Sequence, residues 1–342
     1  MGRIGIVVFV ISAILAVSCS KDEITGSCNW IRLSEDTLIM QTGESYSLTA
    51  VTDPAGVAVK YSSSDQGIVA VEQDGTVTAL NVGAAVITAE AGGLTDECVV
   101  NVMRAPSIGD YYFSDGTFSS SVDAVDADVV GIVFWSGNPA EYDPLLAQEH
   151  PECTHGLVVS LTGMDGVCWQ SVIPDGESVG DWVEANTDYM SVDTDILTES
   201  NLNRIVGYSN TKAITEYNCA PENAGHPVDL IAHLDAFRAS VEAPALSSGW
   251  YIPSAKELTL LCYGDYEGNI WDQYEVTPVV MDAVNIAMED VADAVAVSYS
   301  SALWSCTESG YGKAFEMSVR NGTVSDTQKS YQYNSVRFIL AF

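Results

Sequence analysis

Positive charge is scarce. Lys and Arg total 13 against 47 Asp and Glu in 342 residues, a formal net charge of −34. Neutralising phosphate needs clustered cations, so this balance argues against nucleic acid as a partner and against peripheral docking on anionic lipid. Catalytic signatures are missing as well. The four histidines, His150, His155, His226 and His233, form no His-Glu-x-x-His. There is no Gly-rich phosphate loop. Acidic pairs are too plentiful to single out a glycosidase dyad, which needs a defined separation in space. His150, Cys153 and His155 lie close together, but no second cluster completes a tetrahedral zinc set. Asp123, Asp126 and Asp128 lack the glycine and distal glutamate of a calcium loop. The chain is therefore expected to be no enzyme, with no metal and no cofactor. What is present is a 47% apolar composition, enough to build cores, and a length that allows two ordinary domains or one large one.

Long hydrophobic runs are also few. Residues 4–17 form an apolar stretch behind one cation, Arg3. At 1.5 Å per residue it is too short for a bilayer core of about 30 Å, and it reads as a secretory signal over residues 1–18. It ends Leu15-Ala16-Val17-Ser18-Cys19, small residues directly before a cysteine, which resembles the lipobox of bacterial lipoproteins. The resemblance implies lipidation at Cys19 and anchorage in the outer membrane through lipid alone. The following Ser20-Lys21-Asp22-Glu23 resembles the surface-export signal of Bacteroidetes lipoproteins, which implies exposure at the cell surface. Residues 19–29 read as a tether.

From residue 30 to 104 the pattern is short alternating strands broken by turns, about seven of them, and predicts an all-β Ig-like sandwich. Ser62-Ser63-Ser64-Asp65, Val69-Ala70-Val71, Asp74-Gly75-Thr76-Val77-Thr78-Ala79 and Gly83 with Ala85-Val86-Ile87-Thr88-Ala89 resemble the bacterial Ig-like domain, group 2. Such domains act mostly as spacers in surface proteins. Met103-Arg104-Ala105-Pro106-Ser107 reads as a short linker.

Residues 107–342 mix strands and helices. Strands are predicted at 110–113, 129–134, 156–161, 303–306, 314–319 and 336–342. Leu230, Ile231, Leu234, Phe237 and Val241 are spaced as a helix. Ser254-Ala255-Lys256-Glu257 is a capping box opening a second helix, and Pro278 begins a third. Asn321-Gly322 is a hairpin turn signal.

Several phrases in this region resemble a lectin-like domain of Bacteroidetes and Fibrobacter surface proteins, the group of the Fibrobacter major paralogous domain. They are Ser114-Asp115-Gly116-Thr117-Phe118, His155-Gly156-Leu157-Val158-Val159-Ser160-Leu161, Asn210-Thr211, Gly249-Trp250-Tyr251-Ile252-Pro253-Ser254 with Glu257-Leu258, and Trp304-Ser305-Cys306-Thr307-Glu308. Cys306 replaces a serine of the usual phrase. The resemblance implies a multidomain chain whose second part is an α+β fold related to C-type lectins, with its first strand (110–113) antiparallel to its last (337–342). The loop after the Ser254 helix would then occupy the ligand position. It carries Tyr263, Asp265, Tyr266, Glu267, Asn269, Trp271, Asp272 and Tyr274. Aromatic faces stack on sugars, and carboxylates and amides bond hydroxyls. The Glu-Pro-Asn and Trp-Asn-Asp calcium phrases of C-type lectins are absent. Glu267-Gly268-Asn269 and Trp271-Asp272 are distant echoes of them.

With Cys19 removed, seven cysteines remain, an odd number. Cys28 with Cys98 and Cys153 with Cys168 are the candidate bridges; closing the longer loop could stabilise by about 4 kcal/mol. Cys98, in phase with Val100 and Val102, also reads as a core thiol. The expectation is a surface lipoprotein, adhesion-type, in which an Ig-like stalk lifts a module that binds glycan or a host or bacterial surface protein. A structural or tip subunit of a pilus-like appendage is the alternative, and a polysaccharide hydrolase the third reading.

Overall fold

The computed structural model describes residues 27–342 except 125, 190–201, 266 and 273–275. The signal segment and Cys19 lie outside the described residues. The chain divides into two compact units, Met1–Arg104 and Ala105–Phe342.

Among the described residues the first unit has nine strands: β1 (Trp30–Leu33), β2 (Thr37–Gln41), β3 (Ser45–Ser47), β4 (Ala50–Asp53), β5 (Lys60–Ser63), β6 (Val69–Val71), β7 (Thr76–Ala79), β8 (Gly83–Ala91) and β9 (Leu94–Met103). They form a four-stranded sheet β2-β9-β8-β5, a three-stranded sheet β3-β7-β6 and a β1-β4 pair. Strand alternation builds the core. Cys98, Val100 and Val102 on β9 are buried, while Val99 between them is 41% exposed. They meet Val69, Val77 and Ala79 of the smaller sheet in one hydrophobic cluster. The Asp74-Gly75 turn needs a glycine: Gly75 has φ +88° and its Cα faces the Leu48 carbonyl.

The second unit is built on one eight-stranded sheet. Its strands are β10 (Tyr111–Phe113), β11 (Phe118–Ser119), β12 (Val129–Ser136), β13 (Gly156–Val167), β14 (Ala302–Glu308), β15 (Lys313–Ser318), β16 (Val324–Gln328) and β17 (Asn334–Ala341). Their order is β11-β10-β12-β13-β17-β14-β15-β16. The helices described are α1 (Pro144–Glu149), α2 (Val179–Asn186), α3 (Gly207–Cys219), α4 (Asp229–Ser240), α5 (Ala255–Tyr263) and α6 (Val279–Met288). Tyr111, Phe113, Ile132, Leu157 and Ile339 from the sheet share a core with Leu258 and Leu261 of α5 and with Met281 and Val284 of α6.

The expected pairing of the first and last strands is not observed. β10 pairs with β12, and β17 with β13. Residues 156–160 of β13 are buried throughout, so both edges of that strand need a partner. β12 fills one edge and β17 the other, which places two strands between β10 and β17. The extremities meet through side chains, with Tyr112 and Phe342 ring centroids 4.6 Å apart.

Neither candidate bridge is formed; the seven described cysteines are free thiols. Cys28 lies against Gly92 at the tip of the β8–β9 hairpin and donates to the Trp30 carbonyl (2.9 Å), whereas Cys98 sits along β9 opposite Ile87. Cys153 donates to the Ala341 carbonyl (3.3 Å) and Cys168 to Asp229 Oδ2 (3.4 Å). Each thiol is held by a different part of the fold.

Candidate functional site

The loop after α5 is the site pointed to by the sequence. Its entry is fixed by the predicted capping box: Ser254 Oγ accepts from Glu257 N, and Glu257 Oε2 accepts from Ser254 N (2.6 Å). Thr307 Oγ1 accepts from Ala255 N (3.0 Å). The helix ends at Gly264, φ +82°, a left-handed cap that favours glycine. The chain then bends over Lys256. That side chain is 1% exposed; its ammonium donates to the Gly268 carbonyl (2.5 Å) and the Asp265 carbonyl (3.5 Å). Burial lowers the lysine's pKa, against the pull of Asp265 and Glu267.

Further along, Asn203 takes over. Its Oδ1 accepts from Ile270 N (2.7 Å), and its Nδ2 donates to Asn269 Oδ1 (3.4 Å), which also accepts from Trp271 N (2.9 Å). Ile270 is buried beneath this clasp. Trp271 is left 54% exposed, its ring edge-on to Phe315 at 6.0 Å. The structure therefore brings Asp265, Glu267, Asn269 and Trp271 onto one fastened loop, with the two carboxylates and the amide exposed. Tyr263 does not join them. It is half-buried and packs over Gly322 in the turn after β15. Tyr266, Tyr274 and the side chain of Asp272 lie outside the described residues.

Most of the remaining singled-out phrases turn inward, although Ser114 and Asp115 of the first are exposed. Trp250, Tyr251, Trp304 and Ser305 are all within 1% of full burial. Trp304 Nε1 donates to the Val167 carbonyl, and Trp169 Nε1 to the Ser305 carbonyl, both at 2.9 Å. Three deeply buried carboxylates each serve the first turn of a helix, where unpaired N–H groups need acceptors. Glu257 caps α5 and also accepts from the Tyr251 hydroxyl (3.0 Å); burial pushes it up to about 7. Asp143 accepts from Leu145 N and Leu146 N of α1 (3.1 Å each) and from the backbone and hydroxyl of Ser209. Glu308 accepts from Val179 N (3.0 Å) and Gly180 N (2.8 Å) of α2 and pairs with the ammonium of Lys329. Sealed from solvent, these acids hold elements together rather than meet a substrate. Sequence reasoning missed Asp143 and Lys329. Asp143-Pro144 is a readable cap signal, whereas Lys329 carries no local sign of its partner 21 residues away.

His150, Glu152 and Cys153 place three donor atoms within 4.8 Å of one another. Burial pushes the Cys153 thiol up to about 12, so it keeps its proton and serves as a donor. No helix among the described residues is long and apolar enough to cross a membrane.

Comparison with known proteins adds four findings. A crystal structure of a fimbrial protein from Bacteroides ovatus aligns with a TM-score of 0.58 over 90% of this chain and 69% of that one; at 19% identity the likeness is one of fold. A Bacteroides ovatus protein named as a candidate fimbrium tip subunit, Fim1C, is 31% identical over 178 residues, 45% of this chain. The match spans 32% of that relative's length. A blood-group A N-acetyl-α-D-galactosamine deacetylase of Flavonifractor plautii is 37% identical over 84 residues, 23% of this chain and 11% of that enzyme. Residues 29–100, the β-sandwich of the first unit, match the family model of the bacterial Ig-like domain, group 2.

Proposed function

We propose that this chain is a subunit of a pilus-like surface appendage, structural or at the tip, with the Ig-like unit as spacer and the second unit making the contacts. The observation that carries this reading is the 31% identity over 178 residues to a candidate fimbrium tip subunit. The fold likeness to a fimbrial protein across 90% of the chain supports it. Lipidation at Cys19 would tether the subunit to the outer membrane on its outward face, and no catalytic step enters the proposal. The test is to shear surface fibres from cells that make the protein and probe them with an antibody to it. The protein is expected in the fibre fraction, and its deletion is expected to change fibre length or abundance. Its confinement to the membrane fraction, with fibres unchanged on deletion, overturns the reading.

A second reading, an adhesion-type module for glycan or a surface protein, is favoured by one observation: Trp271 is 54% exposed on a loop that a buried lysine and Asn203 hold in place. Anchoring before binding lowers the ordering cost of capture. Nucleic acid is no candidate at this net charge.

A further inference from the structure

A second exposed aromatic surface lies on the two turns that close the β14–β15 and β16–β17 connections. The first turn reads Ser309-Gly310-Tyr311-Gly312 and the second Ser330-Tyr331-Gln332-Tyr333. Neither holds an aliphatic or a charged side chain. Tyr311 is 46% exposed, Tyr331 45% and Tyr333 80%. The Tyr331 and Tyr333 rings meet at 5.3 Å with their planes tilted by 60°, which leaves an open face on Tyr333.

The two turns lie at the same end of the sheet, because Lys313 opposite Gln328 joins the strands that carry them. Lys329 fastens one to the other. Its backbone N donates to the Gly312 carbonyl (3.1 Å), and its ammonium to the Tyr311 carbonyl (3.2 Å) and to Glu308. Its own carbonyl accepts from Trp169 N (2.8 Å). Gly310 at φ +71° makes the sharp bend that a side chain would oppose. The aromatic groups are thus displayed on a preorganised frame.

We infer that this pair of turns is a binding surface for a neutral carbohydrate. Tyrosine supplies a flat apolar face for the C–H side of a sugar ring and a hydroxyl at its tip; serine and glutamine beside it bond hydroxyls. Protein hot spots favour Trp, Tyr and Arg anchors packed in apolar pockets; these turns offer tyrosine without Trp, Arg or an aliphatic side chain beside it. A net charge of −34 repels polyanionic glycans and leaves neutral ones. The inference stands apart from the pilus reading: a subunit can carry a sugar-binding surface or lack one.

The test uses the whole protein against neutral polysaccharides (mannan, laminarin, galactan), with polygalacturonate as the acidic comparison, read by affinity electrophoresis. Retardation by at least one neutral polymer and not by polygalacturonate is expected. Tyr333→Ser and Tyr331→Ser should each weaken it roughly tenfold, while Tyr333→Phe stays within a few-fold. Melting temperatures of these exposed-site variants should match the parent. No retardation by any neutral polymer, or retardation equal in the parent and the serine variants, overturns the inference. Loss on Trp271→Ala alone assigns the sugar to the other loop and also overturns it. Serine variants that fail to enter fibres, in a protein that binds no neutral glycan, would make the surface a protein contact. Fibre incorporation is scored separately, so either reading can fail without the other.

Discussion

Lys329 and Glu308 form an ion pair in which both side chains are 1% exposed. Burial pushes the carboxyl up and the ammonium down, each opposed by its partner. Such a pair holds only while both members are present, because either charge left alone in the interior is costly.

Lys329→Met should therefore destabilise the second unit by roughly 3–5 kcal/mol, seen as a lower urea midpoint. Replacing both members with Met and Gln should cost clearly less than the single change. A double variant as unstable as the single would contradict this account.

Glu257 titrates near 7 in the fold, against an ordinary 4.5, because it is fully buried. The folded state holds its proton more tightly than the unfolded chain does. This group's contribution is thus fully present below about pH 4.5 and is lost as pH rises through about 7, on the order of 3 kcal/mol in all. Urea titrations between pH 4.5 and 8 should show stability falling across that window. Glu257→Gln should flatten that part of the profile.

Gly75→Ala places a methyl group 2.3 Å from the Leu48 carbonyl at a φ of +88°. The first unit should lose on the order of 2 kcal/mol, enough to lower its melting temperature by several degrees. Gly93→Ala, also at positive φ but with open space around it, should cost less.

Trp271→Ala removes an exposed ring with one edge contact, to Phe315. Stability should change by about 1 kcal/mol or less. If the loop holds a ligand, binding should fall while the melting temperature barely moves; binding unchanged from the parent removes the ring from the site.

Alkylation of the denatured, unreduced protein should label all seven cysteines from Cys28 to Cys306. A mass short by two or four labels would restore one or both of the bridges that the folded geometry separates.

The elements with a local cause were readable in the sequence. The Ser254-to-Glu257 box opens α5 as expected, Pro278 precedes α6, and alternation on β9 put Cys98 in the core. Helix α3 was not readable, because Ser209, Asn210 and Thr211 are buried polar residues, which erases the apolar spacing that marks a helix. Thr211 earns its burial by bonding the Ile252 backbone in both directions, 41 residues away. The Trp271 loop was visible as composition. Its clasp was not, since Asn203 reaches it from 67 residues upstream. Strand order failed for the same reason: apolar runs say that strands exist, not which edges they choose.

The place of β17 has a consequence for how the second unit comes into being. Residues 334–341 slot between β13 and β14, so the last strand in the sequence is the keystone of the sheet. Until it emerges, β13 offers a bare hydrophobic margin that any passing strand could seize. A chain cut short before residue 334 should therefore clump rather than yield a smaller tidy domain, and a chain held extended until residues 334–341 are free would escape that fate.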